Sequence, residues 1–146
     1  MSARIEQLLE DLRAELGVQR ATVRVETPDA FFPVRYEVLA PGVISIRDDT
    51  TDLSKQPVPR ILAESGGQVV QEDAATAFPD ERRFHEMRER YGGLRAQIVT
   101  GCYRDGRLVA LLSIQDLISP RRFGDAERAR CRAAAAEVAA RLDDTA

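Results

Sequence analysis

The sequence predicts an α+β fold: a mostly antiparallel sheet with its helices segregated by face. Three patterns predict it. Apolar residues recur at helical spacing near both ends, at Ile5, Leu8, Leu9, Leu12 and Leu16 and again at Cys131, Ala135, Val138 and Leu142. Between them, short runs alternate apolar with polar residues, as half-buried strands do. Late in the chain, Arg104-Asp105-Gly106 separates two apolar runs, and Asp-Gly accepts the positive φ that a tight hairpin turn needs.

The elements follow in order. An amphipathic helix runs from Ile5 to Leu16, and Gly17 stops it. Val23 and Val25 alternate with Thr22, Arg24 and Glu26 in a first strand, and Thr27-Pro28-Asp29 turns the chain. Val34, Tyr36 and Val38 mark a second strand, broken by Pro41-Gly42. Val43 to Ile46 is a short apolar run, a third strand or an edge segment. Residues 47–56 are polar and irregular. A short helix then spans Pro57 to about Ser65, with Val58, Ile61 and Leu62 inward and Gly66-Gly67 closing it.

Gln68 to Asp73 is a strand centred on Val69 and Val70, 74–80 a loop, and 81–91 a charged helix ending at Gly92-Gly93. The hairpin strands centre on Ile98-Val99 and Leu108 to Ile114. Asp125 is positioned to cap the last helix, which is rich in alanine at 133–136, 139 and 140. That small-residue face can pack on its own sheet or pair with a second subunit. One domain of 146 residues, with a core of about 5–142, accounts for the whole chain.

Composition excludes several classes. With 21 basic and 24 acidic side chains the net charge is -3, against the basic excess expected of a nucleic-acid binder. The two Arg-rich stretches, 82–90 and 121–132, are interleaved with acids and read as solvated helix faces. Two separated cysteines and one histidine cannot build a disulfide framework or a zinc site. No secretory core or membrane-length apolar run is present, so a cytoplasmic protein is expected.

Residues 91–114, from Tyr91-Gly92-Gly93-Leu94-Arg95-Ala96 through Asp105-Gly106 to Leu112-Ser113-Ile114, resemble the second half of a GAF domain. The closing Phe123-Gly124-Asp125-Ala126-Glu127 and the upstream Pro57–Asp73 stretch fit the same family, and the order of elements extends the likeness to roughly 5–142. The resemblance implies a central antiparallel sheet of five to six strands. The terminal helices would lie on one face and pocket-forming helices and loops on the other.

Ser119-Pro120-Arg121-Arg122-Phe123 and Arg95-Ala96 look most like the bilin-associated, phytochrome-like branch. Where that branch carries a chromophore Cys-His pair, this chain reads Phe84-His85. A covalent thioether has no thiol there, and the resemblance leaves non-covalent haem or bilin binding as the tetrapyrrole option. The signature of cyclic-nucleotide GAF sites is absent.

The resemblance implies a ligand pocket roofed by the 47–56 loop, the Pro57 helix and residues 74–91. Candidate lining residues are Tyr36, Ile46, Val70, Phe78, Phe84, His85, Gln97, Val99 and Ser113. Gln97 and Ser113 are the sharper pair, because polar side chains on core strands need partners that a ligand could supply. For each of the nine, ordinary core packing is the competing reading. No catalytic constellation stands out. Cys102 and Cys131 read as small buried hydrophobes, not as the thiol pair of a methionine sulfoxide reductase. Paired carboxylates at Asp48-Asp49 sit in a polar loop and are expected to be solvated.

The expectation is therefore a stand-alone, small-molecule-responsive sensor or regulatory module of signal transduction without catalysis of its own. It would dimerise through its terminal helices and act on a protein partner. The competing expectation is an interaction or dimerisation module with a filled core.

Overall fold

The computed structural model describes residues 2–28 and 32–142. Helix α1 (Ser2–Leu16) leads into strands β1 (Arg20–Val25) and β2 (Val34–Leu39). A 3-10 turn at Leu53–Lys55, helix α2 (Pro57–Ile61), strand β3 (Gln68–Gln71) and helix α3 (Arg82–Arg90) follow. Strands β4 (Ala96–Arg104) and β5 (Arg107–Asp116) and helix α4 (Asp125–Arg141) complete the order. The strands form one antiparallel sheet in the order β2-β1-β5-β4-β3.

The sheet separates two apolar cores. On one face Ile5, Leu9, Leu12 and Leu16 of α1 and Cys131, Ala134, Ala135 and Val138 of α4 pack against Ala21, Val23, Ile98, Leu112 and Ile114. Alanines on the inner side of α4 let the helix lie close to the strands, so this side of α4 packs on its own sheet. Arg121 Nη1 donates to the carbonyl of Leu16 (2.7 Å), capping the C-terminal end of α1, and Arg130 pairs with Glu15 at 2.7 Å. On the other face Leu53, Val58, Leu62, Phe84, Met87 and Leu94 cover Val69, Val99 and Leu111.

The β4–β5 hairpin closes on Asp105 (φ 53°) and Gly106 (φ 78°). Two successive positive φ values match the right-handed twist of the paired strands. At Gly101 a different need applies, since an added Cβ would stand 2.7 Å from the Tyr103 ring and 2.9 Å from Leu108.

Three expectations change, and a fourth is only partly described. Val43–Ile46 is not a strand among the described residues, and the sheet has five strands. The Ser45 hydroxyl and the Ile46 N–H donate to the Glu37 carboxylate at 2.5 and 2.7 Å, hooking this run to a side chain of β2 instead of to a strand ladder. Helix α2 ends at Ile61, because Gly67 N–H turns back to the Leu62 carbonyl (2.8 Å). The cap of α4 is Gly124, whose N–H donates to Glu127 Oε1 (3.0 Å), and Asp125 occupies the first turn. The turn placed at Thr27-Pro28-Asp29 lies partly outside the described residues.

Candidate functional site

Polar side chains on the inner strands define the site. Arg20, Thr22 and Arg24 alternate along β1 with Ala21 and Val23; the apolar set faces the terminal helices and the polar set faces α2 and α3. Register then builds a row across four strands: Arg20 opposes Gln115, Gln115 opposes Gln97, and Gln97 opposes Gln71. These side chains are hydrogen-bonded in one direction. Arg20 Nη1 donates to Gln115 Oε1 (2.8 Å), Gln115 Nε2 to Gln97 Oε1 (3.4 Å), and Gln97 Nε2 to Gln71 Oε1 (2.6 Å). A guanidinium has no acceptor, so Arg20 sets the orientation of every amide after it. The last donor, Gln71 Nε2, is buried without a partner.

One row along, Thr22, Ser113, Val99 and Val69 oppose one another. Above Ser113, Val99, Gln97, Gln115 and Leu111 lies a cavity of about 40 Å³, walled by Arg24, Leu53, Gln56, Val58, Pro59, Met87 and Tyr91. Its walls thus come from the 47–56 loop, α2, α3 with the turn after it, and Arg24 of β1, over a floor of β4 and β5. Gln56 is 4% exposed and donates Nε2 to the Arg83 carbonyl (3.2 Å). Gln56 Oε1 is left buried with no partner, as is Thr22 Oγ1.

A charged latch ties the loop to the floor. Tyr91 OH donates to Asp49 Oδ2 (2.6 Å) and accepts from Arg24 Nη2 (2.5 Å), while Arg24 pairs with Asp49 at 3.3 Å. Thr51 donates to Asp49 Oδ1 (2.8 Å) and accepts from Arg90 (2.8 Å). Burial pushes the Tyr91 hydroxyl up to about 12. Burial also opposes ionisation of Asp49, but hydrogen bonds from Tyr91 and Thr51, with the Arg24 charge, outweigh it and hold the carboxyl below its ordinary value. Asp49 is therefore not the solvated loop acid expected: its side chain is 9% exposed because three elements converge on it.

The nine expected lining residues divide three ways. Gln97, Val99 and Ser113 meet at the cavity. Ile46 and Phe84 lie in the same core, with Phe78 packed against it, but outside the cavity wall; Phe84 is fully buried, edge-on to Phe78 at 5.2 Å. His85 abuts Phe84, and its Nε2 lies 3.2 Å from the Phe78 carbonyl. Tyr36 and Val70 are corrected: strand alternation turns them to the opposite face, into the core beneath α1 and α4. Arg24, Gln56, Tyr91 and Gln115 were missed. The alternation of Arg20, Thr22 and Arg24 was a visible signal, but period two shows only that the polar set shares a face, not that loops bury it.

Burial pushes both thiols, Cys102 and Cys131, up to about 12, leaving little thiolate at neutral pH. Among the described residues no cluster of His, Cys, Asp or Glu could hold a metal ion, and no helix is long and apolar enough to cross a membrane.

The family model of the GAF domain matches residues 1–142. The chain belongs to the GAF family. Members of this family are sensory and regulatory modules. The sequence matches no curated protein at significance. Among solved structures, the blue-light absorbing form of the PixJ GAF domain from Thermosynechococcus elongatus is 22% identical, with a TM-score of 0.80 over 95% of this chain and 82% of that one. GAF3 of Slr1393 from Synechocystis sp. PCC6803, in its photoproduct state, gives 18% identity and a TM-score of 0.73 over 94% and 89%. The chromophore-binding domain of the bacteriophytochrome RpBphP3 from R. palustris gives 19% and 0.74 over 94% of this GAF chain and 54% of that one.

Likeness at these identities shows the shared fold alone. The residues here do not fit a tetrapyrrole. Phe84, which the sequence resemblance sets where that branch carries its thiol, is fully buried, and a cavity of about 40 Å³ is far below the several hundred Å³, roughly, of pockets for large ligands.

Proposed function

We propose that this GAF domain is a small-molecule-binding sensor or regulatory module of signal transduction, without catalysis of its own. In this reading it works as a homodimer through α1 and α4 and passes its state to a protein partner. The observation that carries the reading is Gln56 Oε1, a buried acceptor without a partner in the wall of a polar-floored cavity. Buried polar groups are nearly always paired, so a guest that pairs this one gains affinity. The same loop supplies Leu53 and Gln56 to the wall and Asp49 to the latch. A guest touching both loop and floor therefore binds the latched arrangement better than an open one, which is what population shift requires.

The dimer rests on the outer side of α4. Ala126, Ala129, Ala133, Ala136 and Ala140 are exposed at alternating spacings of three and four, the seam of a close helix pair.

Native mass spectrometry tests the reading. A dimer carrying a small adduct, lost on denaturation and restored by its purified compound, is the expected result. The second reading, a dimerisation module with a filled core, is favoured by the small cavity. A dimer without adduct, unchanged by a metabolite library, would establish that reading and overturn the first.

A further inference from the structure

The loop over the cavity is fixed at both ends and lightly held between them. At its start Ile46 is buried, and the Glu37 carboxylate accepts from both Ser45 and Ile46. Arg20 is fully buried and donates to the carbonyls of Ile44 (2.6 Å) and Tyr91 (2.9 Å). One side chain thus pins the approach to the loop and the backbone of the residue that latches it. At the far end Gln56 is buried, donates to the Arg83 carbonyl (3.2 Å) and leads into α2.

Residues 47–55 are held in another way. Among the described residues their backbone hydrogen bonds are local, from Asp49 N–H to Ile46 and from Lys55 N–H to Asp52. No strand ladder joins them to the sheet. Arg47, Asp48, Thr50, Asp52 and Lys55 are exposed, and Leu53, 5% exposed, is the one apolar side chain they bury. Side chains supply the remaining ties: Asp49 to Tyr91 and Arg24, Thr51 to Arg90, and Arg47 to the Arg35 carbonyl. A segment with so few buried apolar contacts opens locally, at less cost than global unfolding. Opening also returns the Asp49 and Arg24 charges to water, which offsets much of their lost pairing. Leu53 stands in the cavity wall with Ser113 beneath it on the floor.

We propose that residues 47–55 form a lid that swings between fixed ends at Ile46 and Gln56, with Leu53 as its plug and the Tyr91 hydroxyl as its catch. Tyr91 suits that role because Arg20 holds its carbonyl still, while its hydroxyl is shared between Asp49 on the lid and Arg24 on β1. The lid goes beyond the sensor reading, since it belongs to the empty chain and opens with no guest present.

Labelling of a thiol placed beneath the lid tests this in the full chain. Ser113→Cys in a Cys102→Ala, Cys131→Ala background leaves a single thiol, on the cavity floor. The probe is trimethylammonium-ethyl methanethiosulfonate, too large to pass Leu53 while the lid is shut. Labelling should be slower than in the urea-unfolded chain and independent of urea below the unfolding transition, because a local opening exposes little surface. Ile98→Val, in the core on the other face of the sheet, should leave that rate unchanged. The same substitution would speed any labelling that needs global unfolding about five-fold. Tyr91→Phe removes the catch and should speed labelling about 10-fold. Thr51→Val, a surface change that removes one donor to Asp49, should speed it about three-fold and serves if Tyr91→Phe does not fold. Three results overturn the lid: labelling as fast as in the unfolded chain, labelling that climbs with urea from the outset and with Ile98→Val, or a rate that neither latch variant moves. None of them alters the adduct mass on which the sensor reading depends, so the two fall separately.

Discussion

Asp49 holds together three pieces of chain that are distant in sequence, and its worth can be read from its partners. Its carboxylate accepts from Tyr91 and Thr51 and pairs with the buried Arg24. Removing the charge while keeping the shape, as in Asp49→Asn, leaves Arg24 buried without a counter-charge. Breaking one side of such a pair costs about 3 kcal/mol, and urea denaturation should show that loss at pH 7. The pH dependence has a definite sign. Because the folded state holds the Asp49 pKa down, the stabilisation is fully present above the ordinary value of 3.8 and is lost as pH falls through the lower folded value. Wild type should lose stability across that acid range, and the difference between wild type and Asp49→Asn should shrink there. A difference that stays constant from pH 7 down to pH 2 or so would show that Asp49 stabilises only through packing.

At the scale of elements, α4 has two alanine faces with different jobs. Ala134, Ala135 and Ala139 are buried against the sheet, while Ala126, Ala129, Ala133, Ala136 and Ala140 face outward. If the outer seam joins two copies, Ala133→Glu should place two like charges at a close helix contact and convert the dimer to monomer. Size-exclusion chromatography with light scattering reads the mass, and an unchanged circular dichroism spectrum confirms the fold. A dimer that survives the substitution removes α4 from the interface. Elements such as α4 were legible from sequence because periodicity records a helix directly, and the hairpin was legible because Asp105-Gly106 records its turn. Val43–Ile46 misled because four apolar residues suit either a strand or a hooked loop, and the Glu37 bonds that decide it come from another element. The site was legible only in part. Gln97 and Ser113 stood out as polar residues in apolar strands, whereas Gln56 and Tyr91 reach the cavity through folding of segments that carry no local signal for it.

Across the whole molecule, three protonated groups, on a strand, on a helix and in a turn, set how the fold ends in alkali. Cys102 on β4 and Cys131 on α4 lie in the core beneath the terminal helices, and burial raises both thiols from 9.0 to about 12. Tyr91, beyond the end of α3 in the opposite core, is raised from 10.0 to about 12. All three shifts act in the same direction. Between the ordinary values and about 12 the folded protein keeps protons that the unfolded chain has released, so unfolding is favoured as pH rises. Stability from these groups is complete below about pH 9 and is lost progressively as pH climbs through the folded values. The two cores should fail together, since one sheet is the floor of both. Urea midpoints measured at intervals from about pH 8 to 11 should fall with a slope that steepens where tyrosine joins the thiols. In the double variant Cys102→Ala, Cys131→Ala the early part of that fall should disappear and the later, tyrosine part remain. A flat profile in wild type, or an unchanged early fall in the double variant, would mean that the thiols ionise in place and that this core admits water. The same thiols should resist a disulfide reagent in the native protein at pH 8 and react once urea unfolds it, so the pH profile and the labelling rate must agree on whether the core beneath α1 and α4 is dry.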